Sequence, residues 1–388
     1  MVRHTIGVAL AAGALITAGC TADPEESAAS SPSPTETIVA EPELIWSTDV
    51  GSESWSQPVV IDSLVVAGFN DGVARAFDAQ DGAIVWEYPT DGELRGGIAA
   101  GADGVYFVGD DGTLHALTAA GEPRWEVQTG VAAEREPFDQ YGSRPAIAGD
   151  TVIAGFPDGS VRAFSAFDGD EQWMVATEGP IETDVAVAAG IAHVTSTSGV
   201  HYALDVATGA ERWSQNLSGR GTTHPAVIGD DVVVGSRFAR VASYDAATGE
   251  KQWSFSYGSS WVQSGVANLG DGRSVVGSSD YQAVVAFEAD GEVAWLSRTN
   301  AWAWATPLVD DGVVLQSLIR ADTHAETAGS LMALDADTGE ELWRIRVGAA
   351  LEWNPAGVVT EGIAVAPAVT GDRLVVPALD GVVYAFER

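Results

Sequence analysis

The sequence predicts an all-β fold, an eight-bladed β-propeller of four-stranded antiparallel blades closed by pairing of its N- and C-terminal strands. Three observations predict it. Tryptophan recurs at Trp46, Trp86, Trp125, Trp173, Trp213, Trp253, Trp295 and Trp343, at intervals of 40, 39, 48, 40, 40, 42 and 48 residues. Each repeat contains four short runs of β-branched or alternating residues separated by turn residues. The incomplete repeats at the two ends complement each other. A fixed period near forty residues marks a repeat architecture with one supersecondary unit per period.

Taken in chain order, the first element is a leader. Residues 1–20 read MVRHTIGVALAAGALITAGC, with Arg3 and His4 ahead of an apolar run over residues 5–19. That run is short for a membrane span and suits the apolar region of a secretory signal. Residues 16–20 (ITAGC) place small residues before a cysteine, as a bacterial lipobox does. Residues 1–19 are therefore expected to be a lipoprotein signal peptide and Cys20 the lipidated residue; the plainer alternative is an ordinary secretory signal. Cys20 is the single cysteine of the chain, so the folded part can hold no internal disulfide and no cysteine pair for redox or zinc chemistry. Residues 20–42 are rich in Ser, Pro, Thr, Ala and Glu without a core pattern, and read as a disordered tether. The expected location is extracytoplasmic, with membrane attachment by the lipid alone.

The propeller is expected over residues 43–388. Residues 43–46 (ELIW) form a fourth strand with no preceding three, and residues 365–386 form three strands with no fourth. Joined, they complete the eighth blade and leave no long exposed sheet edge at the ends of the chain. The repeat over residues 223–255 shows the unit. PAVI at 225–228 is a first strand, turned by Gly229-Asp230-Asp231 into VVVG at 232–235. RVASY at 240–244 alternates as a half-buried strand does. DAATG at 245–249 is hairpin chemistry, because Asp accepts from backbone amides ahead of it and Gly tolerates positive φ. KQWSF at 251–255 is the fourth strand. Four antiparallel strands in about forty residues make one blade.

The closing motif of the repeat is clearest in ALDVATGAERW (203–213), SYDAATGEKQW (243–253) and ALDADTGEELW (333–343). This A-x-D-x-x-T-G-x-x-x-W pattern closely resembles the pyrroloquinoline-quinone-like propeller family over residues 43–388. The resemblance implies that each tryptophan packs between neighbouring blades. It does not decide function, since one fold hosts many activities. Family enzymes use an adjacent cysteine pair against the quinone and a Glu/Asn/Asp set holding calcium. The cysteine pair is absent here and the carboxylate set matches no motif, so no cofactor is expected and the chain is read as non-enzymatic.

Charge is one-sided, with 19 basic residues against 55 acidic ones and a formal net charge of −36. Lys251 is the single lysine. Such a surface repels phosphate backbones and anionic headgroups, which argues against nucleic acid as a partner.

Loop lengths point to a face. The lead-in to blade 3 (131–143), the lead-in to blade 8 (348–364) and the loop between strands two and three of blade 7 (318–329) are expanded. In a propeller all three fall on one face, often the binding face of a repeat protein. Trp55, Trp261, Trp302, Trp304 and Trp353 sit in lead-in loops of the same face, from neighbouring blades 1, 6, 7 and 8. The opposite arc carries charge, including Glu93 and Arg95, Arg144, Asp184, Arg220 and His224. Clustered aromatics of this kind either contact a partner or plug the channel mouth. The residues just before the first strands, Gln57, Gly96, Arg144, Asp184, His224, Gly265, Thr306 and Ala366, should ring the channel and offer convergent polar groups.

Other candidates reduce to structure. Asp335 to Gly339 begins like a calcium loop, but the twelfth position is Arg346 where a bidentate Glu is needed, so it is a blade turn. Asp322, His324 and Glu326 are a weak metal candidate on an extended loop. His115, His193 and His201 fall within strands without a nucleophile partner, and no metal site is expected. Two function classes stand: a binding scaffold presenting the insertion face to an envelope protein or peptide, and a small-ligand or quinone-binding receptor or enzyme using the channel mouth.

Overall fold

A computed structural model describes residues 40–129, 131–134, 141–237, 240–258, 262, 264–319, 329–347 and 362–388. Among these residues there is no helix, and the strands form eight four-stranded antiparallel sheets. Blade 1 is Val59–Ile61, Leu64–Gly68, Val73–Asp78 and Ile84–Pro89, and blades 2 to 7 repeat that order. Blade 8 takes Ala368–Thr370, Arg373–Pro377 and Val382–Glu387 from the end of the sequence and Leu44–Asp49 from its start. Trp46 stands opposite Ala385 in that closing pair, and the Glu387 amide donates to the Glu43 carbonyl at 2.9 Å. The eight-bladed propeller sealed by its two terminal strands is thus present as the repeats predict.

Two devices of the repeat explain how blades stack. In every blade the register between strands three and four slips just before the repeat tryptophan, as between Ala203↔Trp213 and Leu204↔Glu211. One extra residue there is a β-bulge, which twists the outer strand locally and re-aims a side chain. The indole then lies on the hairpin of the next blade: Trp213 Nε1 donates to the Ala246 carbonyl at 3.0 Å. Gly249 of that hairpin has φ of 74°, and a Cβ on it would lie 2.6 Å from the Trp213 ring. The motif glycine is therefore required twice, for its backbone angle and for flush contact. Asp245 holds the turn, its Oδ1 accepting from the amides of Ala247 and Thr248 at 3.1 and 2.7 Å and from the Thr248 hydroxyl at 2.8 Å. Asp335 makes the same set with Asp337 and Thr338, which settles it as a blade turn.

The core lies between blades rather than at one centre. Val275, Val284 and Trp295 of blade 6, for example, pack with Val314, Met332 and Leu334 of blade 7. Two layers of hydrogen bonds separate the faces. On one face the lead-in loop meets the turn between strands two and three, as in Asn70 N–H to Glu53 O and Arg237 N–H to Arg220 O, both 2.9 Å. On the other, the hairpin between strands three and four meets the turn between strands one and two, as in Ala246 N–H to Asp230 O at 2.8 Å.

Candidate functional site: the channel mouth

The stems of all three long insertions belong to the first of these faces, though most of their residues, with Trp261, Trp353 and the Asp322–His324–Glu326 group, lie outside the described residues. At the centre of that face the inner strands begin. A cavity of about 260 Å³ is lined there by Gln57, Arg144, Asp184, His224, Thr306 and Ala366, together with apolar first-strand residues. These are ring positions read from the sequence. Gly265 fits the ring too, a Cβ on it lying 2.1 Å from Thr306 Oγ1 and 3.0 Å from His224 Cβ. Blade 2 needs a correction: Gly97, not Gly96, stands between Gln57 and Arg144, with its missing Cβ 3.0 and 2.8 Å from their side chains. Gly96 instead bridges to Gly142 of the blade 3 lead-in, so the Gly96-Gly97 pair sits one residue along from the sequence alignment.

The polar ring stitches blade to blade. Asp184 Oδ1 accepts from the Arg144 amide at 3.1 Å and its Oδ2 lies 3.1 Å from Arg144 Nη2. On the other side His224 Nδ1 accepts the Asp184 amide proton at 2.8 Å and lies 3.2 Å from Asp184 Oδ1. Burial alone would raise the Asp184 carboxyl; the adjoining His224 ring and the Arg144 guanidinium bring it down to about 2. Across the ring, Gln57 holds Ala366 at both ends of its amide, donating to the carbonyl at 3.3 Å and accepting from the N–H at 3.2 Å. Arg144 keeps 39 % of its side chain exposed and lines the cavity. Farther out on this arc Arg220 pairs with Glu182 at 3.1 Å, and Arg95 with Glu93 and Asp110.

The aromatic arc is packed. Trp55 and Trp304 are 3 % and 4 % exposed, and with Ile319, Ala364, Leu379, Tyr141 and Trp302 they form one apolar cluster. Trp302 stacks on Trp304 at 5.0 Å, and Trp55 meets Tyr141 edge-on at 5.5 Å. Tyr141, from the blade 3 insertion, crosses the mouth and donates to the Ala364 carbonyl of the blade 8 lead-in at 2.8 Å. Burial pushes its phenol well above the ordinary range. These rings fill the mouth on their side. Sequence reasoning did not single out Tyr141; its place in the long blade 3 insertion was the available signal. His193 and His201 lie away from the mouth, stacked and fully buried against Trp213, with His201 Nδ1 2.9 Å from Thr195 Oγ1.

Fold, repeat motif and polar ring define a propeller of the quinoprotein type that lacks the cysteine pair of its enzymes. More narrowly, the family model described as "Outer membrane protein assembly factor BamB" matches residues 40–156, 70–181, 157–260, 237–327 and 323–388, and the chain belongs to that family. The outer membrane protein assembly factor BamB of Burkholderia pseudomallei (strain K96243) is 26 % identical over 411 residues, covering 99 % of this chain and 98 % of that one. The crystal structure of BamB from Moraxella catarrhalis superposes with a TM-score of 0.69 at 21 % identity, over 90 % of this chain and 98 % of that one. The quinohemoprotein alcohol dehydrogenase of Comamonas testosteroni shares the fold at a TM-score of 0.68 and 16 % identity, over 89 % of this chain and 76 % of that one. Such structural likenesses at low identity speak to the fold alone.

Proposed function

We propose that the chain is a non-enzymatic envelope lipoprotein, a propeller scaffold that binds a protein or peptide partner through the face carrying the insertions. Membership of a family named for assembly is the observation that carries the scaffold reading. The shared face of the three insertion stems supports the choice of surface, because loop variation on a rigid ring is how repeat proteins vary their binding. Attachment runs through Cys20 and the tether of residues 20–42. A Cys20→Ser protein loses acyl labelling in this reading, and continued labelling would refute the anchor. Replacing residues 320–328 by a short Gly-Ser linker between Ile319 and Gly329 should leave melting unchanged and weaken partner capture in intact cells; unchanged capture after shortening all three insertions would move the interface elsewhere.

A second reading has its own observation. The cavity of about 260 Å³ with Arg144, His224 and Thr306 on its wall lies just below the roughly 300 Å³ at which small-ligand sites begin, and it offers convergent polar groups. A quinone titration followed by calorimetry separates the two, with no saturable heat expected under the scaffold reading.

A further inference from the structure

With 55 acidic residues against 19 basic ones, a cation of this chain has many carboxylates within reach. Among the described residues most arginines do pair with one, as Arg75 does with Asp71 at 2.7 Å and Arg212 with Asp205 at 2.6 Å. Arg240, Arg298 and Arg346 differ: they are exposed and have no carboxylate partner among those residues. Their positions in the repeat coincide. Arg298 and Arg346 are the last residues of strand four in blades 6 and 7. Arg240 begins strand three of blade 5 and stands opposite Ser256, the last residue of strand four there. All three are therefore at one level of three consecutive blades, near the outer rim, where strand four runs into the lead-in loops of the insertion face.

The loops around this arc carry little opposing charge. The lead-ins to blades 5, 6 and 7 (217–224, 257–265 and 299–306) contain no Asp or Glu, whereas those to the other five blades each contain at least one. Asp280, in the blade 6 turn between strands two and three, is the exception among the described loops of the arc. Arg298 is also held in place. Its guanidinium carbon lies 4.3 Å from the centre of the Tyr281 ring, and its Nη1 donates to the Tyr281 carbonyl at 2.5 Å. Tyr281 meets Tyr257 at 5.5 Å between ring centres, and Tyr257 meets Phe255 at 5.0 Å. A guanidinium already stacked on a ring loses less freedom when it takes up a carboxylate.

From this we infer that the rim of blades 5 to 7 is a docking strip for an extended acidic segment of the partner protein. Charge gives the acid, because complementary potentials steer and orient an encounter, and this arc is the place where an acidic chain meets guanidinium rather than carboxylate. Spread gives the extension, because one arginine per blade over three blades suits a chain and not a single small ion. The carboxylates on the rest of the face repel the same segment, which fixes where it lies. The inference rests on the insertion face being the binding face, and adds the chemistry of what binds there.

A fluorescein-labelled peptide of four Glu-Tyr-Asp repeats, titrated with the full chain and followed by anisotropy, tests the strip. Saturable binding is expected below about 1 mM, with the Gln-Tyr-Asn counterpart weaker by about tenfold. Arg240→Gln, Arg298→Gln and Arg346→Gln made together should leave melting unchanged, because all three side chains are exposed. The same change should weaken the acidic peptide about tenfold. Lys251→Gln removes an exposed cation at the opposite face and should leave binding as it was. No saturation by about 1 mM, or equal binding by the triple variant, would overturn the proposal. So would arginine-dependent binding of phosphatidylglycerol vesicles in preference to the peptide, or arginine-dependent self-association, which would give the arc to a membrane or to a second copy. If the peptide fails while shortened insertions still weaken partner capture, the face stands and the strip falls. If the peptide binds through the arginines while shortened insertions leave capture unchanged, the strip stands and the insertions leave the interface.

Discussion

The two halves of the channel mouth are built from equivalent lead-in loops, yet they meet the same problem in opposite ways. Inner strands crowd together at the axis and leave backbone groups facing one another across blade boundaries. On the ionic side Asp184 reaches both neighbours, Arg144 and His224, and a cavity remains beside them. On the aromatic side Trp55, Tyr141, Trp302 and Trp304 pack into one apolar cluster. A position in the repeat therefore tells where a side chain stands, while its neighbours decide whether it serves as surface or as core. The difference makes the aromatic half part of the packed core and leaves the ionic half lining a cavity.

The largest effect should come from the aromatic half. Trp55→Ala removes a ring that is 3 % exposed and should cost roughly 3–5 kcal/mol, as for other buried aromatics. Thermal melting checks this against Trp213→Ala at a blade junction, and the two should fall by similar amounts. A Trp55→Ala protein that melts like the wild type would show the aromatic half to be open surface after all.

Acid titration separates the mouth from the buried histidine pair. Burial lowers His193 from 6.5 to about 4. The unfolded chain then takes up the proton first, so stability is full above pH 6.5 and falls as pH drops towards 4, by about 3 kcal/mol. The ionic half follows at lower pH. With Asp184 at about 2 when folded against 3.8 unfolded, its contribution is present above pH 3.8 and lost as pH falls through 2, about 2 kcal/mol in all. Denaturant midpoints measured from pH 7 to 2 should show both limbs, and Asp184→Asn should flatten only the lower one. Loss of the upper limb in Asp184→Asn would mean that the mouth, not the histidine pair, controls the first acid step.

The smallest stability effect is expected at Arg144, whose side chain is 39 % exposed. Arg144→Ala should change stability by less than about 1 kcal/mol while altering the cavity that Arg144 lines. A loss as large as that of Trp55→Ala would erase the distinction between the halves.

Much of this was legible in the sequence, for physical reasons. The tryptophan period and the D-x-x-T-G turn are demanded by local geometry, so blade number, closure and the ring of Gln57, Arg144, Asp184, His224 and Thr306 could be read from spacing. Burial of Trp55 and Trp304 could not, because it depends on Tyr141 arriving from blade 3, some 86 residues on from Trp55. The one-residue error at Gly96 arose where two adjacent glycines gave no side chain to align.

The central claim is that partners engage the insertion face. A photo-crosslinking amino acid placed in live cells at Arg220 or Glu93, on that face, should yield adducts with another envelope protein. The same probe at Phe167, 79 % exposed on a blade 3 hairpin of the opposite face, should yield none. Adducts from Phe167 with none from Arg220 or Glu93 would contradict the account.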